Sequence, residues 1–232
     1  MNNFYDLHIH SALSPCGDND MTPNNIVNMA VLKGLNTIAL TDHNSCKNCP
    51  AFVKAAAGSG LNVICGMEIN TEEEAHAVCL FSGLQKALDF DEYVYARLPD
   101  FKNDPEIFGE QRILDENDEL LGYEPKLLIN AVSISVMELA ALVKSFGGYA
   151  FPAHIDKSSY SILSSLGMVP PECGFTAYEV KDKAALARVL PLLPNPKTAL
   201  IMHDSDAHYL WDIAEAQNSI DCDNVLEYLM SL

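Results

Sequence analysis

The length, composition and charge of the chain limit its class before any motif is considered. Its 232 residues suffice for one α/β domain with a full core, and we predict a single domain over residues 1–232. The formal net charge of −18, with only 14 basic residues, creates a field that repels polyanions, so we expect a small phosphorylated substrate and no long nucleic acid. No apolar run approaches the roughly 20 residues that cross a bilayer, and the N-terminus lacks a signal pattern. We therefore expect a cytoplasmic protein with no membrane partner, and the odd number of cysteines, 7, favours reduced thiols.

The N-terminal part of the chain predicts successive strand–helix units. Residues 4–10 alternate in polarity, which places His8 and His10 together on the face that we expect to line a barrel interior. The opposite face is apolar and suits a helix layer; it comprises Tyr5, Leu7 and Ile9. The next predicted elements are a helix opened by Thr22 and Pro23 and closed by Gly34, a strand at 36–40, a helix at 50–57, and strands at 61–65 and 76–81.

Residues 84–133 interrupt this alternation. They contain an aromatic helix candidate at 88–97 and a hairpin at 112–124 that turns at Asn117 and Asp118. We interpret the segment as an insertion over the mouth of a barrel, where loop variation usually sets specificity.

The alternation returns in the C-terminal part of the chain. The predicted elements are helices at 135–146, 158–166, 183–190 and 223–231, and strands at 147–154, 175–181 and 198–208. Strands that alternate with helices, and that end in polar residues, predict a (β/α) barrel with its site at the C-terminal ends of the strands.

Histidines and carboxylates recur at the ends of these apolar runs. Residues at i and i+2 of a strand share a face, so His8 and His10 project together, as do Asp206 and His208. Six segments each supply one or two ligands of the kinds that divalent metals prefer, which predicts a polynuclear metal centre. The six segments carry His8/His10, Asp42/His43, Glu68, His76, His154 and Asp206/His208.

The same motifs, in this order, resemble the series found in the PHP (polymerase and histidinol phosphatase) superfamily. The matching pieces run from residue 6 to residue 208 and read DLHIH, TDH, GMEI, the isolated His76, PAH and SDAH. The resemblance implies a distorted (β/α)7 TIM-like barrel, two or three divalent ions (Zn, Mn or Fe) and metal-dependent phosphoester hydrolysis.

Residue by residue, the resemblance implies three metal positions. The first is held by His8, His10, Glu68 and Asp206, and the second by Glu68, His76 and His154, with Glu68 bridging the two. The third is held by His43, His208 and one residue of the loop after the first motif. We choose Asp18 for this last ligand, with Asp20 and Cys16 as alternatives.

The resemblance also implies roles in catalysis. A hydroxide shared by two ions would attack phosphorus, with Glu68 and Asp206 in the catalytic set. The third ion, or a water on it held by His208, is our candidate for protonating the leaving group, and Asp42 for orienting the ligand imidazoles. The predicted substrate is a small phosphomonoester.

Few basic residues lie near the motifs to bind its phosphate. Lys157 is the best candidate, together with Ser158, whose backbone amide would open the following helix. Arg97 and Arg112, from the insertion, are alternatives.

Two other functions stay open at this point. The same metal cluster could serve an exonuclease or nucleoside-bisphosphate phosphatase that acts on short oligonucleotides, or a non-catalytic metal-binding module that regulates a partner. Cys46 and Cys49 form a CxxC pattern, which is typical of a redox pair or a soft-metal site but equally of local packing.

Overall fold

A curled six-stranded sheet forms the centre of the computed structural model, which describes residues 2–232. Two smaller sheets of two strands each accompany it. The strands are β1 (Asn2–Ile9), β2 (Thr37–Leu40), β3 (Asn62–Asn70), β4 (His76–Phe81), β5 (Arg112–Leu114), β6 (Leu120–Tyr123), β7 (Gly148–Pro152), β8 (Ala177–Glu179), β9 (Leu200–Met202) and β10 (Ser219–Asp221).

Eight α-helices occur within the described residues, and most lie against the outside of the sheet. Thr22 caps the first helix through Asn25, with Pro23 as its first residue, as its sequence predicts. The helices are α1 (Pro23–Leu32), α2 (Cys49–Ala55), α3 (Leu84–Tyr95), α4 (Pro105–Phe108), α5 (Val136–Ser145), α6 (Ile162–Leu166), α7 (Leu186–Val189) and α8 (Val225–Met230). No helix of residues 2–232 combines the length and apolar character needed to cross a bilayer.

The order of strands in the central sheet is β10-β1-β2-β3-β4-β7. Strands β1, β2 and β3 are parallel, whereas β4 runs antiparallel to both β3 and β7. Strands β8 and β9 pair with each other, and a bridge between Ile9 and Ala207 joins this part of the chain to β1. The α/β class is thus confirmed, but the regular (β/α)7 alternation is not found, because the turn at 71–75 is too short for the crossover that parallel strands require.

The apolar trio of β1 does not face one layer, contrary to the prediction. Ile9 packs in the large cluster that includes the helices α1 and α2, whereas Tyr5 and Leu7 pack in a second cluster with α8. The register between β1 and β2 shifts between Asp6 and Ile9, and such a bulge changes which face a side chain takes.

The lengths of several C-terminal elements also differ from the prediction. The helix predicted at 158–166 begins at Ile162, because Ser161 and Ser164 form a capping box there. The helix predicted at 183–190 is split into α7 and flanking 3-10 turns, and the strand predicted at 198–208 pairs only over β9. The hairpin at 112–124 is confirmed as β5 and β6, with Asp118 at φ 63° in its turn.

Candidate metal centre

One edge of the curled sheet collects the predicted ligands. His8 lies near the end of β1 and His10 just beyond it, and His43 follows β2 closely. His76 opens β4, and because β4 is antiparallel to β3, this first residue pairs with Asn70 at the end of β3. The remaining ligands lie beyond the ends of β7 and β9; they are His154, Asp206 and His208.

The carboxylate of Glu68 lies at the centre of this edge. It is 1% exposed and contacts imidazole nitrogens from five histidines. The distances from Oε1 are 2.9 Å to His76 Nδ1, 3.0 Å to His154 Nε2 and 3.3 Å to His8 Nε2, and those from Oε2 are 3.0 Å to His43 Nδ1 and 3.4 Å to His10 Nε2.

The Asp206 carboxylate lies close to two of these imidazoles, those of His8 and His10. Its Oδ1 lies 3.5 Å from His8 Nε2 and 3.4 Å from His10 Nε2, and these two nitrogens are 3.1 Å apart. Asp204, two residues earlier, instead accepts a hydrogen bond from the Leu7 amide at 2.6 Å.

Three groups of residues could each hold an ion, because within each group the ligand atoms all lie within 4.8 Å of one another. The first matches the set that the family resemblance implies. His43 occurs in both of the others, and His154 is in none of them although it contacts Glu68. The groups are His8/His10/Glu68/Asp206, His43/Glu68/His76 and His10/His43/His208.

The unpaired atoms of the site fit a divalent cation. His43 Nδ1 and Glu68 Oε2 are buried and make no hydrogen bond, although they are 3.0 Å apart. An unsatisfied buried polar atom costs about 1–3 kcal/mol, and a cation between the two would remove this cost. Imidazoles combined with carboxylates suit zinc, manganese and iron rather than a soft-metal or purely oxygen-ligated site.

Glu68 and His208 already have the protonation states that bind metals. Although burial lowers the pKa values of His8, His10 and His43, neighbouring acidic groups raise them, so a bound ion would displace protons from these three rings. Burial alone would raise the pKa of Glu68, but the charges of His76 and His8 hold this pKa well below its usual range. Burial and the neighbouring charge of His10 lower the pKa of His208 to about 3. The carboxylate is therefore ionised and the His208 imidazole neutral near pH 7, which are the forms that bind metals.

Glu179 supports the first metal position, and the sequence analysis missed it. Its Oε2 lies 2.7 Å from His8 Nδ1, and its Oε1 accepts a hydrogen bond from the His154 amide at 3.1 Å. A carboxylate on the second nitrogen of a ligating histidine fixes the orientation and the tautomer of the ring. The signal in the sequence was a single acidic residue between Tyr178 and Val180 in an otherwise apolar strand.

Asp42 orients a ligand through a serine rather than directly. Its carboxylate accepts hydrogen bonds from the hydroxyls of Ser11 and Ser14, at 2.6 and 2.7 Å. The Ser14 Oγ lies 3.0 Å from His10 Nδ1 and accepts a bond from the His43 amide at 3.1 Å. Asp42 itself is not among the described residues that line the cavity.

The loop after the first motif, which we expected to complete the third metal position, contacts both histidines of that position. The Asp18 amide donates to the His208 carbonyl at 2.9 Å, while the Asp18 carboxylate accepts from the Asp20 amide at 2.8 Å. The Cys16 side chain instead interacts with His43. Although burial lowers the pKa of His43, Cys16 and the Glu68 carboxylate raise it to about 9.

The four predicted substrate-binding residues have different positions. Lys157 lines the cavity and donates from Nζ to Asp206 Oδ2 at 2.6 Å. Ser158 lies four residues before α6, so the predicted helix-end anion site at this serine is wrong. The guanidinium of Arg97 packs 3.4 Å from the centre of the Tyr93 ring, and Arg112 donates to a backbone carbonyl; neither is among the described residues that line the cavity.

The CxxC pattern is buried away from the cavity. Cys46 Sγ donates to the Gly66 carbonyl at 3.1 Å, and burial raises the pKa of Cys46 to about 11. All seven cysteines are free thiols, and within residues 2–232 no candidate metal group includes one. These observations favour local packing over a redox or soft-metal role.

The metal-ligand cluster forms one wall of a cavity of about 260 Å3. Lys157, Ser159, Ile129 and Tyr160 also line it, the last two with largely apolar side chains. The backbone is strained around it, since non-glycine residues with positive φ include His154 (30°), Asp206 (49°) and Asn44 (47°). Strain of this kind concentrates at functional sites.

A curled α/β sheet with clustered imidazoles and carboxylates beside a lysine-bearing cavity defines the class of metal-dependent phosphoesterases. The family model of the PHP domain matches residues 6–164, which is more than half of the 232 residues. The chain therefore belongs to the PHP family.

Similar proteins include nucleases. The 5'-3' exoribonuclease Rnm of Salmonella typhimurium is 40% identical over 76 residues, which are 32% of this chain and 25% of that protein. The lesion-specific endonuclease Q of Pyrococcus furiosus has a similar fold, with a TM-score of 0.68 and 18% identity, over 99% of this chain and 55% of that chain. A proposed metal-dependent phosphoesterase from Bifidobacterium adolescentis has a TM-score of 0.62 and 18% identity, over 99% of this chain and 96% of that chain. This chain thus matches only a quarter of the length of Rnm and about half of endonuclease Q.

These similarities overturn the expectation that long nucleic acid is excluded. Endonuclease Q has been crystallised with a 27-mer duplex that carries an abasic lesion at its active site. Net charge does not predict the substrate here, because it treats the whole chain as a single charge. Fields from surface charges decay within about 8 Å at physiological salt, so contacts near the site decide what binds there.

Proposed function

We propose that this phosphoesterase hydrolyses the phosphoester at the end of an oligonucleotide or nucleic-acid strand. The observation that carries the proposal is the position of the metal-ligand cluster on the wall of a cavity of about 260 Å3. That volume is just below the roughly 300–1,000 Å3 of typical small-molecule sites, so it suits one terminal nucleotide better than a strand that passes through. The similarity to an exoribonuclease supports the same choice.

The residues of the chain have separate tasks in this reaction. When bound, divalent ions supply Lewis acidity and lower the pKa of water toward neutrality. Glu68 and Asp206 bring the negative charge that holds the cations, while Glu179 and Ser14 fix the rings of His8 and His10. The Lys157 ammonium, now paired with Asp206, is close enough to the cluster to exchange that carboxylate for a substrate phosphate oxygen.

A second candidate is the hydrolysis of a small phosphomonoester. The cavity volume is compatible with such a substrate, and the net charge of −18 favours a small anion over a long one at a distance from the surface. Both candidates use the same cluster and differ only in what binds beyond the reacting phosphate.

A substrate comparison tests the proposal. Protein loaded with manganese or zinc is incubated with a 5'-phosphorylated pentaribonucleotide, the same oligomer with a 5'-hydroxyl, and a panel of sugar and amino-alcohol phosphates. We expect mononucleotides to be released stepwise from one end of the oligomer, and His10→Ala to abolish their release because it removes a ligand shared by two of the candidate groups.

Three results decide against this proposal. Release of inorganic phosphate alone, with the oligomer otherwise intact, would favour the small-phosphomonoester activity. Cleavage only inside the strand would contradict action at an end. No hydrolysis of any substrate by fully metal-loaded protein would leave the non-catalytic metal-binding module as the remaining reading.

A further inference from the structure

Two residues of the cavity lining have no part in the reaction at phosphorus. Most of the described residues that line it are metal-ligand candidates or the polar Lys157 and Ser159. The exceptions are Ile129, at the end of the insertion, and Tyr160, in the loop before α6. A ligand whose phosphate lies at the cluster would therefore place its next group against an aliphatic and an aromatic side chain.

Tyr160 is held at the cavity by a strained backbone. Its φ is 54°, a left-handed conformation that costs a residue with a bulky side chain about 1–2 kcal/mol and that glycine or asparagine adopts more easily. Its carbonyl accepts the His76 amide at 3.0 Å, and the centre of its ring lies 5.1 Å from that of His76. The residue nevertheless remains 52% exposed, so part of the ring is free to contact a ligand.

Ile129 is fixed in place by two asparagines that flank the metal ligands. The Asn44 amide group donates to the carbonyls of Leu128 and Asn130, at 2.6 and 2.8 Å. The Asn70 amide group donates to the carbonyl of Ile129 itself at 2.9 Å. Three consecutive carbonyls of the insertion are thus tied to the ends of β2 and β3, and the apolar wall is preorganised.

We propose that Tyr160 and Ile129 form a subsite for the nucleobase of the terminal nucleotide. This inference rests on the proposed function, and it names the group that is recognised beyond the phosphate. An exposed aromatic ring stacks on the flat face of any base, and a β-branched aliphatic side chain covers an apolar face without hydrogen bonding. The subsite therefore distinguishes a nucleotide from a sugar phosphate but does not select among bases.

Calorimetric binding to the manganese-loaded protein tests the subsite without requiring turnover. The two probes are adenosine 5'-monophosphate and ribose 5-phosphate, which differ only in the base. We expect the nucleotide to bind about tenfold more tightly, Tyr160→Ala to abolish this preference, and Tyr160→Phe to retain it because the ring remains. Ile129→Ala reduces the preference by a smaller factor.

Matched variants separate this effect from a general loss of structure. Tyr123→Ala removes a tyrosine as exposed as Tyr160, at 53%, and Ile107→Ala removes an isoleucine that is more exposed than Ile129, at 71%; we expect both variants to leave both affinities unchanged. Tyr160→Gly relieves the positive φ, so it retains the melting temperature of the wild type while losing the base preference.

Equal affinities of the wild type for the two probes, or undetectable nucleotide binding, would overturn the subsite. So would a Tyr160→Ala variant that weakens both probes by the same factor. If instead the proposed function is wrong and the subsite is right, the protein binds the nucleotide with the expected preference but hydrolyses no phosphoester.

Discussion

At the scale of single residues, Glu68 organises the metal centre. Its buried carboxylate is stable only because the neighbouring charges of His76, His8 and His43, or a bound cation, offset its loss of hydration. Residues that do not bind the metal themselves hydrogen-bond to the rings of His8 and His10 and fix their orientation. This second set of contacts, through Glu179, Ser14 and Asp42, could not be assigned from motifs alone.

Replacing Glu179 tests its role in positioning His8. Glu179→Gln keeps the size of the side chain but removes the charge that faces His8 Nδ1, so we expect the affinity for the most tightly bound ion to fall about 10- to 100-fold. The measurement is competition with a chromogenic chelator. The exposed Glu172→Gln serves as the control, and an unchanged affinity in Glu179→Gln would contradict a positioning role.

The third metal position makes a separate prediction. The candidate group at this position, His10/His43/His208, includes no residue of the loop after the first motif. Of the three alternatives in that loop, Cys16 interacts with His43, whereas the Asp18 carboxylate accepts from the Asp20 amide, so we expect the Cys16 thiolate to complete the position when a metal binds. Protein loaded with cobalt should then show a thiolate charge-transfer band in the near ultraviolet. Cys16→Ser should abolish the band while Asp18→Asn retains it; a band that is absent from the wild type contradicts the assignment.

At the scale of elements, the segment 84–133 is tied to the site by side-chain hydrogen bonds and by a backbone bond from the Val132 amide to the Asn70 carbonyl at 2.8 Å. Asn44 follows His43 directly, has φ 47° and bonds two carbonyls of the segment that carries Ile129. A change in this segment therefore reaches the cavity wall.

Asn44→Ala should loosen this connection. The substitution removes the two bonds to the carbonyls of Leu128 and Asn130 and the bond that Asn44 Oδ1 accepts from the Asn70 amide, each worth about 1 kcal/mol, and places alanine at a strained φ. We expect amide hydrogen exchange of residues 127–131 to become at least about tenfold faster, as measured by mass spectrometry. The matched control is Asn117→Ala in the exposed hairpin turn, and unchanged exchange in Asn44→Ala would show that other contacts hold the segment.

At the scale of the whole molecule, the net charge of −18 governs the approach of a substrate rather than its identity. The phosphates of a substrate and the carboxylates on the protein surface repel each other over about 30 Å at 0.01 M salt, but only over about 8 Å at 0.15 M. The similarity to nucleases shows why this repulsion cannot be read as exclusion.

The salt dependence of turnover should therefore be opposite to that of a basic nucleic-acid-binding protein. We expect the KM for an oligonucleotide to fall as ionic strength rises from about 0.01 to 0.15 M, because screening removes repulsion. The KM for a monophosphate, which carries fewer charges, should change less. A KM that rises with salt would instead indicate that a local basic surface dominates, as counterion release predicts.

The sequence by itself determined the ligand motifs, their order along the chain and the α/β class. His8 and His10 were readable because spacing along a strand fixes which side chains point together, and the hairpin at 112–124 because turn residues act locally. Asp206 and His208 were readable from their motif alone, since they lie in the loop beyond β9 and not on a strand. The tertiary structure alone decided the pairing of β4 with β3 and β7, the bulge in β1, and the contact of Glu179 with His8 across 171 residues. The reason is that local patterns are set by neighbours in the chain, whereas contacts between distant segments depend on how the whole sheet packs and curls.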